Sequence, residues 1–388
     1  MIGLLLTARS LRAFADGYVA VLLPAYLLAL GYGTMEVGVL STVTMLGSAA
    51  ATLAVGRWGH RFDLRGLLMG AAALMAITGM GFAAFSSLWP LMIVALAGTL
   101  NPGGGDVSVF YPLEHTALAA ATQTQERTSA FARYSFIGSA FGAAGALAAA
   151  VPEWLAAYVS TLAALKLMFV VYGAIGLAVG LIYARFPVTR NVEKAPAPLG
   201  PSRAMVWKLA GLFSVDSFAG GLMINALLAL WLFERFQLSL AAAGAFFFWT
   251  GLLSAVSQLA AAPLARRIGL VNTMVFTHLP ANFCLIGAAF APTLELALVL
   301  LLVRSALSQM DVPARGAYVM SVVTPAERPA AASFTAVPRS LASSLSPTIT
   351  GALFAAGAMA TPLVLCGVLK SAYDVALLLM FRRVPPRE

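Results

Sequence analysis

Acidic side chains are scarce in this chain, 15 among 388 residues, and charged residues of both signs make up only 10%. Ordinary soluble domains carry roughly 25%, and a chain that is 61% hydrophobic with so few charges cannot cover its own surface in water. Histidine is nearly missing, and His60, His115 and His278 are too scattered for metal-ligand spacing, so no metal is expected. The two cysteines, Cys284 and Cys366, each sit inside an apolar run, which argues against a disulfide framework. No nucleophile–base set can be assembled, so neither an enzyme nor a cofactor is expected. The net charge of +9 does not form a patch for nucleic acid, because the basic residues fall in alternate loops. No A-x-A-like site follows Met1–Leu30 and Asp16 interrupts its apolar region, so this segment does not read as a signal peptide.

What fills the chain instead is long apolar runs, with a mean hydropathy of +0.89. Twelve runs reach membrane-spanning length, near 8–31, 36–56, 66–86, 90–113, 128–151, 156–184, 207–233, 239–263, 270–291, 294–323, 330–355 and 360–381. About 20 residues cross the hydrocarbon as a helix, and lipid-facing backbone must be helical because no water satisfies its peptide groups. The fold class is therefore an all-α polytopic membrane protein. Arginines and lysines concentrate at Arg57–Arg65, Arg127, Arg185–Lys208, Arg266–Arg267, Arg328 and Arg382–Arg387, whereas the alternate loops hold Glu36, Glu153, Glu234, Arg235 and Glu295. The positive-inside rule places both termini and the central linker in the cytoplasm of a cell (inner) membrane protein.

The second half weakly repeats the first, at an offset drifting between about 200 and 206 residues. Asp16 answers to Asp216, Gly38 to Gly244, Arg61 to Arg267, Asp106 to Asp311, and Glu126-Arg127 to Glu327-Arg328. Between the halves, Pro196, Pro198 and Pro201 forbid a continuing helix. The expected organisation is a six-helix bundle over 1–186, a cytoplasmic linker over 187–206 and a second, pseudo-symmetric six-helix bundle over 207–388. Duplicated polytopic units are the sequence form of a secondary transporter.

After span 2 stands Gly56-Arg57-Trp58-Gly59-His60-Arg61-Phe62-Asp63-Leu64-Arg65, with a second copy at Ala262–Gly269 and a Thr324-Pro325-Ala326-Glu327-Arg328 run before span 11. Together with the repeat, these motifs resemble the major facilitator superfamily (MFS) of transporters over the whole chain. His60 replaces the aspartate of the family pattern and Asp63 its second glycine. The resemblance implies a cytoplasmic gate built from Arg61, Asp106, Arg267 and Asp311, with Glu126, Arg127, Glu327 and Arg328 beside it. It also implies alternating access around a midplane site, for a small-molecule substrate carried by a monomer in the lipid bilayer. Two features depart from the drug–proton antiporters of the family: span 4 has no arginine, and span 5 has no Gly-Pro ending.

Buried charge points to the chemistry, since ionisable groups in a bilayer are costly. Asp16 and Asp216 occupy matching positions in spans 1 and 7 and are candidates for proton coupling. Arg304, deep in span 10, calls for a carboxylate such as Asp16 or Asp216, or for an anionic substrate. Asp311 and Arg315, and likewise Lys370 and Asp374, are four residues apart and read as self-neutralising pairs. Asn225, nine residues beyond Asp216, shares its cavity only if the helix breaks at Gly220-Gly221. Gln258, Asn282, Tyr26, His278 and Gln309 are further polar candidates, with Trp231 and Trp249 as aromatic walls. Asn101-Pro102-Gly103-Gly104-Gly105-Asp106 marks a hinge in span 4, the proline leaving a carbonyl without its helical donor. Its counterpart in span 10, Ala306 to Asp311, has neither proline nor glycine, so the first bundle is expected to bend more. The favoured reading is proton-coupled efflux of a small molecule. Alternatives are a uniporter or symporter of the same fold, and a non-transporting receptor or assembly protein.

Overall fold

The computed structural model describes residues 1–103, 108–123, 126–187, 200–324 and 327–382, without the side chains of His60, Arg127, Thr128 and Pro329. Gly104, Gly105, Asp106 and most of the linker thus lie outside the described residues. The main helices are α1 (Ile2–Ala29), α2 (Thr34–Trp58), α3 (Leu64–Ala84), α4 (Leu88–Ala97), α5 (Phe110–Ala121), α6 (Arg127–Leu147), α7 (Val151–Leu155) and α8 (Thr161–Tyr183). They continue with α9 (Arg203–Leu222), α10 (Asn225–Phe236), α11 (Leu240–Ile268), α12 (Leu270–Ala289), α13 (Leu294–Ser308), α14 (Asp311–Val322), α15 (Arg328–Ala355) and α16 (Thr361–Phe381). Among the described residues there is no strand.

Among the described residues, ten helical stretches are long and apolar enough to cross a membrane. The remaining two of the twelve spans are α4 with α5, too short singly, and α15, whose hydroxyl-bearing residues lower its hydropathy. Large side chains such as Trp89, Leu181 and Leu379 are exposed on the molecule's surface, as lipid-facing groups must be.

Three of the spans are broken. Span 4 stops at Ala97, where Gly98 turns extended, and resumes at Phe110. Asn101 Oδ1 accepts a hydrogen bond from Gly103 N–H at 3.2 Å, closing the turn around Pro102. Span 7 breaks at Met223–Ile224, just beyond the Gly220-Gly221 pair, with Met223 at φ −132°, ψ 55°. Span 10 breaks at Gln309–Met310 despite having no glycine or proline between Ala306 and Asp311. The reason is Pro313, two residues past that stretch: it has no N–H to give the carbonyl of Gln309. The interruption covers two residues there; span 4 leaves the helix at Gly98 and is helical again from Phe110, with 104–107 outside the described residues.

The chain divides into two compact units, Met1–Glu193 with Ile224–Phe248, and Lys194–Met223 with Trp249–Glu388. In the first, α1 packs on α6, α3 on α8 and α2 on α4; in the second, α9 packs on α15 and α12 on both α13 and α16. Spans 1 and 5 thus pair as spans 7 and 11 do, and spans 3 and 6 as spans 9 and 12 do. The repeat seen in the sequence is a repeat of packing.

Small residues set the distance between paired helices. A Cβ on Gly145 would stand 2.0 Å from the Phe14 carbonyl oxygen, and one on Gly17 would stand 2.1 Å from that of Gly142. In the second unit a Cβ on Gly221 would meet the Ser343 carbonyl at 2.2 Å. Such contacts let helix backbones touch in lipid, where no hydrophobic force drives them together.

The first unit also takes in chain from beyond the linker. Helix α10 packs on α1 and α2, and Ala226 N–H donates to the Pro102 carbonyl at 3.0 Å, joining the breaks of spans 4 and 7. Glu153 of α7 accepts from the amides of Leu240 (2.5 Å) and Ala241 (3.2 Å), placing a carboxylate on the first turn of α11.

Candidate functional site

The second unit encloses a line of charges across spans 7, 10 and 12. Asp216 on α9 is 3% exposed. Lys370 Nζ of α16 donates to its Oδ1 at 2.6 Å, and Arg315 Nη2 of α14 stands 3.1 Å from its Oδ2. Arg315 also bonds Asp311 one turn earlier on its own helix. Each charge therefore meets an opposite one, the only arrangement a membrane interior tolerates cheaply. Phe213 supplies a ring face 5.3 Å from the Arg315 guanidinium carbon. One turn beyond Lys370 on α16, Asp374 accepts from His278 Nδ1 (3.0 Å) and Asn282 Nδ2 (2.9 Å), both on α12. On α15, Arg339 Nε donates to Ser217 Oγ at 3.1 Å, next to Asp216 in sequence.

This arrangement has a definite chemical capacity. A proton placed on the Asp216 carboxylate would remove the shared acceptor of Lys370 and Arg315, leaving Lys370 without a carboxylate and Arg315 with Asp311 alone. Charge at one atom is thereby tied to the packing of three spans.

The first unit carries a different network. Arg12 of α1 ion-pairs with Glu114 of α5, which also accepts from the hydroxyls of Tyr134 and, at 2.5 Å, Tyr183. Glu114 is fully buried, and Arg12 is stacked over Phe110 with its guanidinium carbon 4.0 Å from the ring centroid. Asp16, one turn along α1, is half-buried and within electrostatic reach of Arg12, Tyr18 and Tyr172.

The expected site residues are placed unevenly. Asp216 and Asp311 are brought together through Arg315. Asn282 and His278 join the same unit's charge system through Asp374. Arg304 is half-buried, and its electrostatic neighbours are Cys284 of α12 and Cys366 of α16; its expected partner Asp216 is held by Lys370 and Arg315. Asn225 opens α10 and so belongs to the first unit, and Gln258 is half-buried on α11. Tyr26 proves a packing residue, its hydroxyl donating to the carbonyls of Phe82 (2.6 Å) and Phe85 (2.9 Å). Lys166 reaches outward to Ser86 Oγ at 2.8 Å.

One sequence expectation is corrected. Lys370 and Asp374 do not neutralise each other: each turns to a neighbouring helix, where Asp216 and His278 offer closer partners than one turn of α16 does.

At the helix ends, Arg61 and Arg267 are exposed, and Glu126 is exposed at the start of α6. Its counterpart Glu327 is not. Glu327 accepts from the amides of Gly200 (2.5 Å) and Ser202 (3.3 Å) and from Thr324 Oγ1 (2.5 Å), while Arg328 Nε donates to the Met320 carbonyl at 3.2 Å. These bonds, the hydroxyl contacts first, hold the Glu327 carboxyl down to about 2. The clasp anchors the end of the linker to the loop before α15.

Glu114, Arg339 and the Lys370–Asp216 bond were missed in the sequence. A lone glutamate closing span 4, eight residues after Asp106, was the available signal for the first. For the second it was an arginine directly after a mid-span proline, Pro338.

A sequence model described as Major Facilitator Superfamily matches residues 5–307. An uncharacterised membrane protein of Saccharomyces cerevisiae, YJR124C, is 21% identical over 384 residues, with 88% of this chain and 85% of that protein covered. Among solved structures, the nucleoside transporter NupG is similar with a TM-score of 0.74 at 13% identity, over 98% of this chain and 99% of that one. The inward-open xylose transporter XylE from E. coli also gives a TM-score of 0.74, at 15% identity over 100% of this chain and 97% of that one.

Proposed function

The chain belongs to the major facilitator superfamily and is a multi-pass membrane transporter; on that premise we propose that it exchanges a small molecule for protons, with Asp216 as the group that accepts the proton. The observation that carries this reading is the double hold of Lys370 and Arg315 on one buried carboxylate. Protonating Asp216 costs both bonds at once, so proton occupancy and helix packing are linked. Intramembrane carboxylates with named partners are functional by default. Asp16, at the matching place in span 1 and within electrostatic reach of Tyr18 and Tyr172, is the second titrating group of the reading. Protons running inward down their gradient drive the substrate outward, which makes the protein an exporter of the inner or plasma membrane, with cytoplasmic termini. It acts as a monomer, and Arg61, Arg267 and Asp311 serve the cytoplasmic gate.

The test is a substrate screen in proteoliposomes under an imposed pH gradient, with an entrapped pH dye. Transported substrate is expected to move protons in the opposite direction. Asp216→Asn is expected to abolish the proton signal, and Asp16→Asn to weaken it. Substrate movement in the wild type with no proton signal overturns the exchange reading and leaves a uniporter.

A further inference from the structure

In the first unit, buried Arg12 is committed to Glu114. In the second unit Lys370 and Arg315 bond Asp216, and Arg315 bonds Asp311. Arg339 differs. Its Nε donates to Ser217 Oγ, a neutral acceptor, and among the described residues no carboxylate forms an ion pair with it. Within this cluster Lys370 and Arg315 balance Asp216 and Asp311, so the charge of Arg339 is left over, Asp374 being engaged by His278 and Asn282; Arg304, earlier in span 10, has Cys284 and Cys366 as its electrostatic neighbours. Arg315 repels Arg339, and the two aspartates that attract it are both held by other cations.

Its direction is equally specific. The lipid side of α15 is marked by Phe334, Leu341, Leu345 and Ile349, all exposed. Arg339 lies well round the helix from that stripe, near the face of Ser343, Ser346 and Thr350, which packs on α9. Thr350 Oγ1 donates to the Leu222 carbonyl at 2.7 Å, and Ser343 abuts Gly221. Arg339 nevertheless keeps partial accessibility. Its two Nη groups are thus open donors inside the unit, near the middle of span 11. A guanidinium fork fits a carboxylate or phosphate through two parallel hydrogen bonds, and an unpaired one in a membrane interior is costly to keep.

We propose that Arg339 anchors an anion-binding site, so that the transported molecule is a small organic anion whose carboxylate or phosphate docks on the Nη pair. The assignment of a transported molecule rests on the transport reading above; the anion site itself does not. Ser217 Oγ holds Nε and so fixes the plane of the fork. Asp216, adjacent in the chain and on the same helix as Ser217, brings the proton-accepting carboxylate to within a residue of the anion's anchor.

The experiment uses the purified full-length protein and four probes at equal ionic strength: benzoate, phenyl phosphate, the neutral isostere benzamide, and chloride. Phenylglyoxal modification mapped by mass spectrometry is expected to label Arg339 in chloride and benzamide. Benzoate or phenyl phosphate is expected to cut that labelling at least fivefold, and the more protective of the two identifies the head group. The same anion is expected to raise the thermal midpoint of the wild type. In Arg339→Gln its affinity is expected to fall roughly tenfold or more, with partial retention in Arg339→Lys. Arg339 unreactive in chloride, equal labelling with every probe, or undiminished anion binding in Arg339→Gln each overturns the proposal. The labelling readout uses wild-type protein, so it stands even if a variant fails to fold. Anion protection without proton movement would sink the exchange reading and keep this one; proton movement without anion protection would do the reverse.

Discussion

Replacing Glu114 with glutamine probes whether the first unit is held by charge or by packing. Glutamine preserves the shape of the side chain but removes the negative charge that Arg12 and two tyrosine hydroxyls share. Arg12 is 1% exposed, so it cannot turn to water for compensation. Breaking a buried pair by removing one partner costs about 3–5 kcal/mol, mostly the desolvation of the charge left behind. At roughly 2–4 °C per kcal/mol for a body of this size, the thermal midpoint should fall by about 6–20 °C. The assay is a thermal melt of detergent-purified protein, followed by the fluorescence of a maleimide dye on Cys366. Two controls sharpen it. Tyr134→Phe removes a single bond to a charged acceptor and should cost about 1.5–3 kcal/mol. Arg12→Met with Glu114→Leu removes both charges and should be milder than Glu114→Gln alone. If Glu114→Gln melts within 2 °C of the wild type, on the roughly 2–4 °C per kcal/mol scale, the buried pair contributes nothing and the reasoning fails.

Two further outcomes follow from other sites. Glu327 binds the linker end as a carboxylate, so the folded state takes up fewer protons than the unfolded one between its ordinary value of 4.5 and about 2. The clasp's contribution is full above about pH 4.5 and is lost as pH falls towards 2; hydrogen exchange at Gly200 and Ser202 should accelerate only in that window, and loosening between pH 7 and 5 would contradict it. Gly145→Ala should destabilise by about 1–3 kcal/mol, because its Cβ meets the Phe14 carbonyl at 2.0 Å, whereas Gly56→Ala, with nothing within 4 Å, should be neutral or stabilising. Equal melting of the two variants would show that α1 and α6 can part without penalty.

The fold was legible because its causes are local or periodic. Apolar length defines a span wherever it occurs, and the repeat of Asp16 in Asp216 announced the duplication. Pro102 marked the break in span 4, whereas the break at Gln309–Met310 in span 10 has its cause two residues beyond Asp311, at Pro313. The site was legible only by residue type. Asp216 was recognisable as a costly buried carboxylate, but its partners depend on helix rotation and height, which no spacing along one chain encodes. Lys370 illustrates this: one turn from Asp374 on α16, it bonds a residue 154 positions away. Arg12 and Glu114, 102 positions apart, are the same case in the first unit. Arg339 was overlooked because the sequence shows no acid near it, and the structure places none in contact with it either.

The break at Met223–Ile224 has a practical corollary for anyone who would dissect this protein. Helix α10 is encoded after the linker yet folds with the residues before it, where Ala226 bonds the Pro102 carbonyl. Dividing the gene at the proline-rich tether would therefore yield a leading fragment lacking a wall and a trailing fragment carrying a surplus one. Neither piece should be well behaved alone. Expressed together they should recover, because the orphaned rod can find its groove in trans.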